Sequence, residues 1–346
     1  MKKYTIKDIA KLAGVSKGTV DRVLHKRGKV SETALKKVNS ILDDIDFKPN
    51  FIAKQLKNNK IYTICVLLPD PKKDAYWESC IVGINKAVLE FNAFGIHVEI
   101  YFFNPTSTAS FLKANLTIQA VAPDAVLLVP LFFKEASTII EEYSNSGITV
   151  SIFNNHINSS PAKNFIGQDL FQSGRIGAKL LSSIISKGGL AIIHIDEKYN
   201  NAIHMQEKEK GFKSYFQELN APKYNIITYK LKHSNIEKTL TSIMAEHPEL
   251  KGIFVTTSKS YQVAEILQNE HEKKIALVGY DLLRENISFL KKGNIDFLIH
   301  QNPKQQAYLG LKHLIEHFLF DKEIPSQILL PINIINSESI KTYTGD

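Results

Sequence analysis

From residue 61 onward the chain repeats one pattern: a short apolar run, a polar loop, then a segment long enough for a helix. The runs are IYTICVLL, IHVEIYFF, AVLLV, ITVSIF, LAIIHI, NIITY, GIFVTT, IALVGY and IDFLIH. They are rich in Ile, Val, Phe and Tyr. Apolar strands that alternate with helices imply parallel sheets covered on both faces. Roughly ten strands are many for one doubly wound sheet, so two Rossmann-like lobes are expected. In such sheets a ligand binds beyond the carboxyl ends of the strands, and a cleft between two lobes suits a small molecule and hinge closure.

The first 60 residues follow another rule. In TIKDIAKLAGVSKGTVDRVL, Ile6, Ile9, Ala10 and Ala13 fall at helical spacing and predict one buried face. Thr5 with Asp8 three residues later reads as an N-cap close to a capping box. Gly14 can take a left-handed conformation and stop that helix. Ser16 caps a second helix, with Val20 and Leu24 inward and Lys17, Gly18 and Thr19 outward. A second helix with small polar residues in its first turn is what a helix-turn-helix inserts into the major groove. After a basic loop, Ser31 caps a third helix with the stripe Leu35, Val38, Ile41 and Leu42.

Charge separates the same two regions. Residues 1–60 hold 15 Lys/Arg and 6 Asp/Glu, a net of +9, whereas the remaining 286 hold 28 and 29, a net of −1, which together give the chain's +8. A basic head on a near-neutral body points to a polyanionic partner for the head alone. No run approaches the roughly 20 apolar residues of a membrane span. The start MKKYTIKD has no apolar stretch behind it, so no signal peptide is read there. Cys65 and Cys80, the only cysteines, predict neither a disulfide framework nor a zinc site, and a cytoplasmic location is expected.

Beyond the third helix, Pro49 and Asn50 signal a helix start, and the run from Phe51 to Lys57 is too short to be a stable helix alone. The series TIKDIAKLAGVSKGTV, RVL, VSETALKKV, KPN, an alanine, a leucine, then a strand ending in PD resembles the LacI/GalR family of bacterial transcription regulators. The resemblance implies a helix-turn-helix headpiece (1–48), a hinge helix and linker (49–60) and a sensor shaped like a periplasmic sugar-binding protein (61–346). The first lobe is expected at about 61–160 and 290–320, the second at about 161–289 and 321–346. The family acts as a dimer on palindromic operators, with a small polar effector, a sugar or sugar derivative, between the lobes.

By this resemblance Lys17 and Gly18 would face base edges, and Arg22 bases or phosphate. Thr5, Ser16, Thr19 and Ser31 are candidate phosphate contacts that can also act as caps. Asn50, Ala53 and Leu56 would form the hinge, with Leu56 as an apolar wedge in the minor groove at the operator centre. One departure is Asp21, where the family has serine. An acid beside DNA repels phosphate, so Asp21 is expected to pair with Arg22, Lys17 or another basic neighbour.

In the sensor, Tyr76 and Trp77 follow the first strand, and either stack on a sugar or pack against the next helix. Asn154 ends ITVSIF and can bond a hydroxyl. Asp169, in IGQDLFQSGRIGAKLL, reads as a helix cap. Asp281 in VGYDLL and Gln301 in IHQNP match pocket positions of the family. Lys208 stands where members often have arginine, and Thr257 and Ser258 where they often have Asn-Asp. Lysine lacks arginine's bidentate fork, so no named sugar specificity transfers.

The rivals are a sugar-modifying α/β enzyme and a periplasmic-type sugar-binding protein. The chain has no G-x-S-x-G elbow, P-loop or G-x-G-x-x-G after a strand, so neither catalysis nor a cofactor is expected. His313 and His317 share a helix face without an identifiable third metal ligand. The basic head opposes a binding protein that acts outside the cell.

Overall fold

The computed structural model describes residues 4–24, 28–45, 60–157, 160–196, 202–220, 223–269 and 274–344. Two compact units divide the chain at Asn58/Asn59. The expected hinge from Pro49 to Lys57, with Asn50, Ala53 and Leu56, lies outside the described residues.

The first unit contains α1 (Ile6–Ala13), α2 (Lys17–Leu24) and α3 (Glu32–Asp44). Thr5 opens α1 with a reciprocal box. Its hydroxyl accepts from the Asp8 N–H, and its own N–H donates to the Asp8 carboxylate at 2.9 Å. Gly14 ends the helix at φ 64°, where a side chain would be strained. Ser16 accepts from Thr19 N–H and Ser31 from Ala34 N–H, as the spacing predicted. Ile9, Ala10, Ala13, Val20 and Val38 form the core, with Leu24, Ile41 and Leu42 packed against it. Ile6 and Leu35, expected inside, are exposed. Both stand in the opening turn of their helix, where so small a core provides no cover.

The second unit holds two six-stranded sheets. The first has β1 (Tyr62–Pro69), β2 (Ile96–Phe103), β3 (Ala125–Leu128), β4 (Thr149–Asn154), β5 (Asn164–Gly167) and β11 (Gln327–Leu329), in the order β11-β5-β4-β3-β1-β2. The second has β6 (Gly188–Ile195), β7 (Tyr224–Leu231), β8 (Leu250–Val255), β9 (Ala276–Tyr280), β10 (Phe297–His300) and β12 (Asn333–Ile335), in the order β12-β10-β9-β8-β6-β7. Every pairing is parallel except β10 with β12.

The two-residue period of a strand sends successive side chains into two helix layers. On β1, Ile64, Val66 and Leu68 join one cluster, covered by α4 (Glu78–Glu90) and α12 (Pro303–Phe320). Cys65 and Leu67 join the opposite one, under α5 (Thr108–Val121) and α6 (Phe133–Asn145). On β6, Leu190 and Ile192 face α7 (Leu170–Ile184) and α8 (Ile203–Glu218). Ala191, Ile193 and Ile195 face α9 (Ile236–Glu246), α10 (Ser260–Leu267) and α11 (Arg284–Lys291).

The lobe boundaries differ from those expected. The first sheet keeps the chain through β5, so the crossing falls at Gln168–Asp169 rather than near 160. IDFLIH belongs to the second sheet, since Phe297 and Leu298 pair with Val278 and Gly279, and the chain returns at Gln301–Asn302 rather than near 290. The third crossing lies between β11 and β12, not near 320. Strands of three or four residues leave too short an apolar run to mark a boundary.

Helices α7 and α8 meet backbone to backbone. A Cβ on Gly174 would lie 2.0 Å from the Lys208 carbonyl oxygen, and one on Gly211 would lie 1.9 Å from that of Phe171. Gly174→Ala is expected to destabilise the sensor by about 1–3 kcal/mol through overpacking. Urea unfolding followed by tryptophan fluorescence checks this, and an unchanged midpoint would refute the close approach.

Candidate functional site

Two surfaces carry chemistry, one in each unit. On the head, Lys17, Gly18, Asp21 and Arg22 are exposed along α2, and Thr19 is half-buried with its hydroxyl 2.9 Å from that of Ser16. An added Cβ at Gly18 would meet nothing closer than the Ser16 hydroxyl at 3.7 Å, so this turn presents a low, open surface. The caps hold it rigid. Ser16 fixes the α2 start, and Thr5 and Ser31 fix those of α1 and α3.

In the sensor, the crossings bring the carboxyl edges of the two sheets to one junction. Several strands end there on non-glycine residues in the left-handed region: Asn154 (φ 72°), the last residue of β4, Asp196 (φ 63°) after β6 and Asp281 (φ 65°) after β9. Such backbone costs on the order of 1 kcal/mol or more, and it concentrates at ligand sites.

On the first lobe, Asp74 caps the short turn Ala75–Trp77 by accepting from Tyr76 N–H. Asn154 donates its side-chain amide to the Tyr76 hydroxyl. Trp77 packs edge-on against Tyr76 inside the lobe core, which favours the packing role over stacking on a ligand. Burial holds the Tyr76 phenol neutral far above its usual range, and the Asp281 carboxylate adds to this from the other lobe.

On the second lobe, Asp281 is 2% exposed and accepts from the Gln301 backbone N–H at 2.9 Å and its side-chain amide at 2.6 Å. Leu283, two residues on, packs against the first lobe's core. Lys208 is buried, with its ammonium 2.9 Å from the Thr256 carbonyl and 3.7 Å from the Tyr280 ring centre. Behind it, His194 bridges the Thr256 hydroxyl and the Glu209 carboxylate. The Thr257 hydroxyl is buried with no hydrogen-bond partner among the described residues. Asp169 caps α7 through Gln172 N–H, as its position predicted.

The structure thus brings Asp281 together with Gln301 and Tyr76 with Asn154, and anchors Lys208 under Tyr280. Gln168 escaped the sequence reading. It is 3% exposed, and its amide donates to the carbonyls of His300 at 3.1 Å and Pro331 at 2.7 Å. Its only sequence signal is its place at the end of β5, just before the capping Asp169. His317 bonds the Lys322 carbonyl, and burial lowers the His313 pKa. Among the described residues no group of three or more His, Cys, Asp or Glu could hold a metal ion, and no helix is long and apolar enough to cross a membrane.

A helix-turn-helix head joined to a two-lobed binding-protein fold defines a ligand-responsive DNA-binding regulator. Residues 5–50 match the bacterial regulatory proteins of the lacI family, and residues 64–321 match the periplasmic binding protein domain. The chain's sensor belongs to the periplasmic binding protein domain family, its head carries the lacI-family DNA-binding domain, and the chain regulates transcription. It is 24% identical to the sucrose operon repressor of Streptococcus mutans over 96% of this chain and 98% of that one. It is 25% identical to the ribose operon repressor of Lactococcus lactis over 97% and 98%. A solved structure from Bacteroides fragilis, described as a LacI transcriptional regulator, superposes with a TM-score of 0.78 at 29% identity, covering 82% of this chain and all of that one.

Thr5→Ala removes one half of the reciprocal box and is expected to lower head stability by about 1 kcal/mol. Thermal melting of the full chain, followed by backbone NMR signals of α1, reads it. A head that melts unchanged would show that the box carries no stability.

Proposed function

We propose that this protein is a cytoplasmic, dimeric repressor that binds a palindromic operator and changes its operator affinity when a small sugar closes the two lobes. One observation carries the reading: the chain that bears the helix-turn-helix head also bears two lobes whose sheet ends hold buried polar pairs, Asn154 bonded to Tyr76 on the first and Gln301 bonded to Asp281 on the second. Buried carboxylate, amide and phenol groups are suited to hydroxyls, which both donate and accept. Two relatives named as sucrose and ribose operon repressors support a sugar and repression.

In this reading Lys17 donates to a base edge, Gly18 lets α2 approach the groove closely, and Arg22 reaches base or phosphate. Thr5, Ser16, Thr19 and Ser31 bond phosphates. Asn50, Ala53 and Leu56 form the hinge helix, with Leu56 in the central minor groove. Tyr76, Asn154, Asp281 and Gln301 hold the sugar, with Lys208 and Thr257 on its second-lobe side and Trp77 supporting Tyr76 from behind. Dimerisation uses the outer edge of the first lobe, where β2 is the end strand of the sheet among the described residues and Val82, Leu89 and Leu116 are 52%, 69% and 65% exposed on the flanking helices. Apolar exposure of this kind marks interaction surfaces.

Selection of binding sites from random duplexes is expected to yield a two-fold symmetric sequence. Lys17→Ala should then relax preference at one position in each half-site, at about 1–3 kcal/mol per lost contact. An equal loss on all sequences would make Lys17 a phosphate contact. A thermal-shift panel of pentoses, hexoses and disaccharides identifies the sugar through stabilisation of the native state. Asp281→Ala should abolish that shift and leave binding to the selected duplex intact. A retained shift would remove Asp281 from the pocket.

A further inference from the structure

Three chain segments join the lobes: Gln168–Asp169, Gln301–Asn302 and the stretch between β11 and β12. Any opening of the cleft must change backbone angles in all three at once. The middle segment is held from both sides. Asp281 of the second lobe accepts two bonds from Gln301, and Gln306 on α12 of the first lobe donates to the Gln301 carbonyl at 2.7 Å. Leu330, at the start of the third segment, donates its N–H to the carbonyl of Gly167, the last residue of β5.

Gln168 connects them all. It follows the last residue of β5 in the first sheet, yet its amide bonds the carbonyl of His300, which ends β10 in the second, and that of Pro331, which precedes β12 in the second. One –NH2 group supplies two protons, and both are used here. A pair of bonds of 3.1 and 2.7 Å tolerates only a few tenths of an ångström of relative movement before one fails. The arrangement they fit is a closed one, with Asp281 and Tyr76 buried and Leu283 of the second lobe seated on the core of the first.

The geometry points to Gln168 as the hinge clamp of the sensor: its amide ties the three connecting segments together and sets how much of the ligand-free protein stands closed. This rests on the two-lobe structure alone and holds whatever the ligand is. The closed fraction scales the apparent affinity of any ligand that binds the closed form, so the clamp sets the sensitivity of the sensor without touching the ligand.

The test is a distance measurement on the full-length chain without ligand. The connections lie on the β5/β10 side of the sheets, and β2 and β7 form the opposite edges, where opening displaces the lobes furthest. Exposed Ala109 on α5 and Glu237 on α9, the helices that follow those edge strands, are replaced by cysteine and spin-labelled. Native Cys65 and Cys80 are buried. Gln168→Met keeps the bulk and removes both donors. Gln168→Asn keeps the amide and withdraws it by one methylene. In both, the pulsed electron resonance distances are expected to lengthen and broaden relative to the parent protein. Superimposable distributions in variants that melt like the parent would overturn the clamp. Failure of both variants to fold would also overturn it, by making Gln168 a folding requirement instead.

Discussion

Both faces of both sheets are covered by helices, and the rest of the molecule follows from that. Alternate residues of β1 enter opposite helix layers, and β6 does the same. Such strands have no free face on which to hold a ligand. The polar groups of the candidate site stand at the strand ends, where the chain leaves the core. The three crossings then bring the carboxyl edges of the two sheets to a common junction. Tyr76 and Asn154, 78 residues apart, meet at the end of one sheet, and Asp281 and Gln301, 20 apart, at the end of the other.

Once there, most of the polar groups are satisfied by one another, the buried Thr257 hydroxyl excepted. Asp281 is paired with Gln301, Tyr76 with Asn154, and Lys208 with the Thr256 carbonyl and the Tyr280 ring. A buried carboxylate or ammonium without such partners would be strongly disfavoured. The closed arrangement is therefore self-consistent, and under the proposed function a sugar would bind by exchanging some of these bonds for its own hydroxyls. Left-handed backbone at Asn154 and Asp281 turns the chain sharply as it leaves each strand.

Much of this was legible in the sequence because its causes are local. The caps at Thr5, Ser16, Ser31 and Asp169 have partners three residues along the chain. Long apolar runs showed strands because two-sided burial makes them near-continuous. The failures had non-local causes. Strands β5, β11 and β12 are three or four residues long and exist through their pairing, so the lobe boundaries were misplaced. Ile6 and Leu35 have the correct helical spacing, but a core of five buried residues does not reach them. Gln168 was invisible because its acceptors lie 132 and 163 residues away.

Regulation requires that a ligand in the sensor and DNA on the head alter each other's binding, and such coupling is reciprocal. Fluorescence anisotropy of the full-length protein on its selected duplex, at fixed salt, with and without a saturating sugar from the thermal-shift panel, tests this most directly. An affinity change of at least about fivefold is expected on sugar binding, with the sugar's own affinity changed by the same factor on DNA. Equal duplex affinity with the sensor empty and saturated would contradict it.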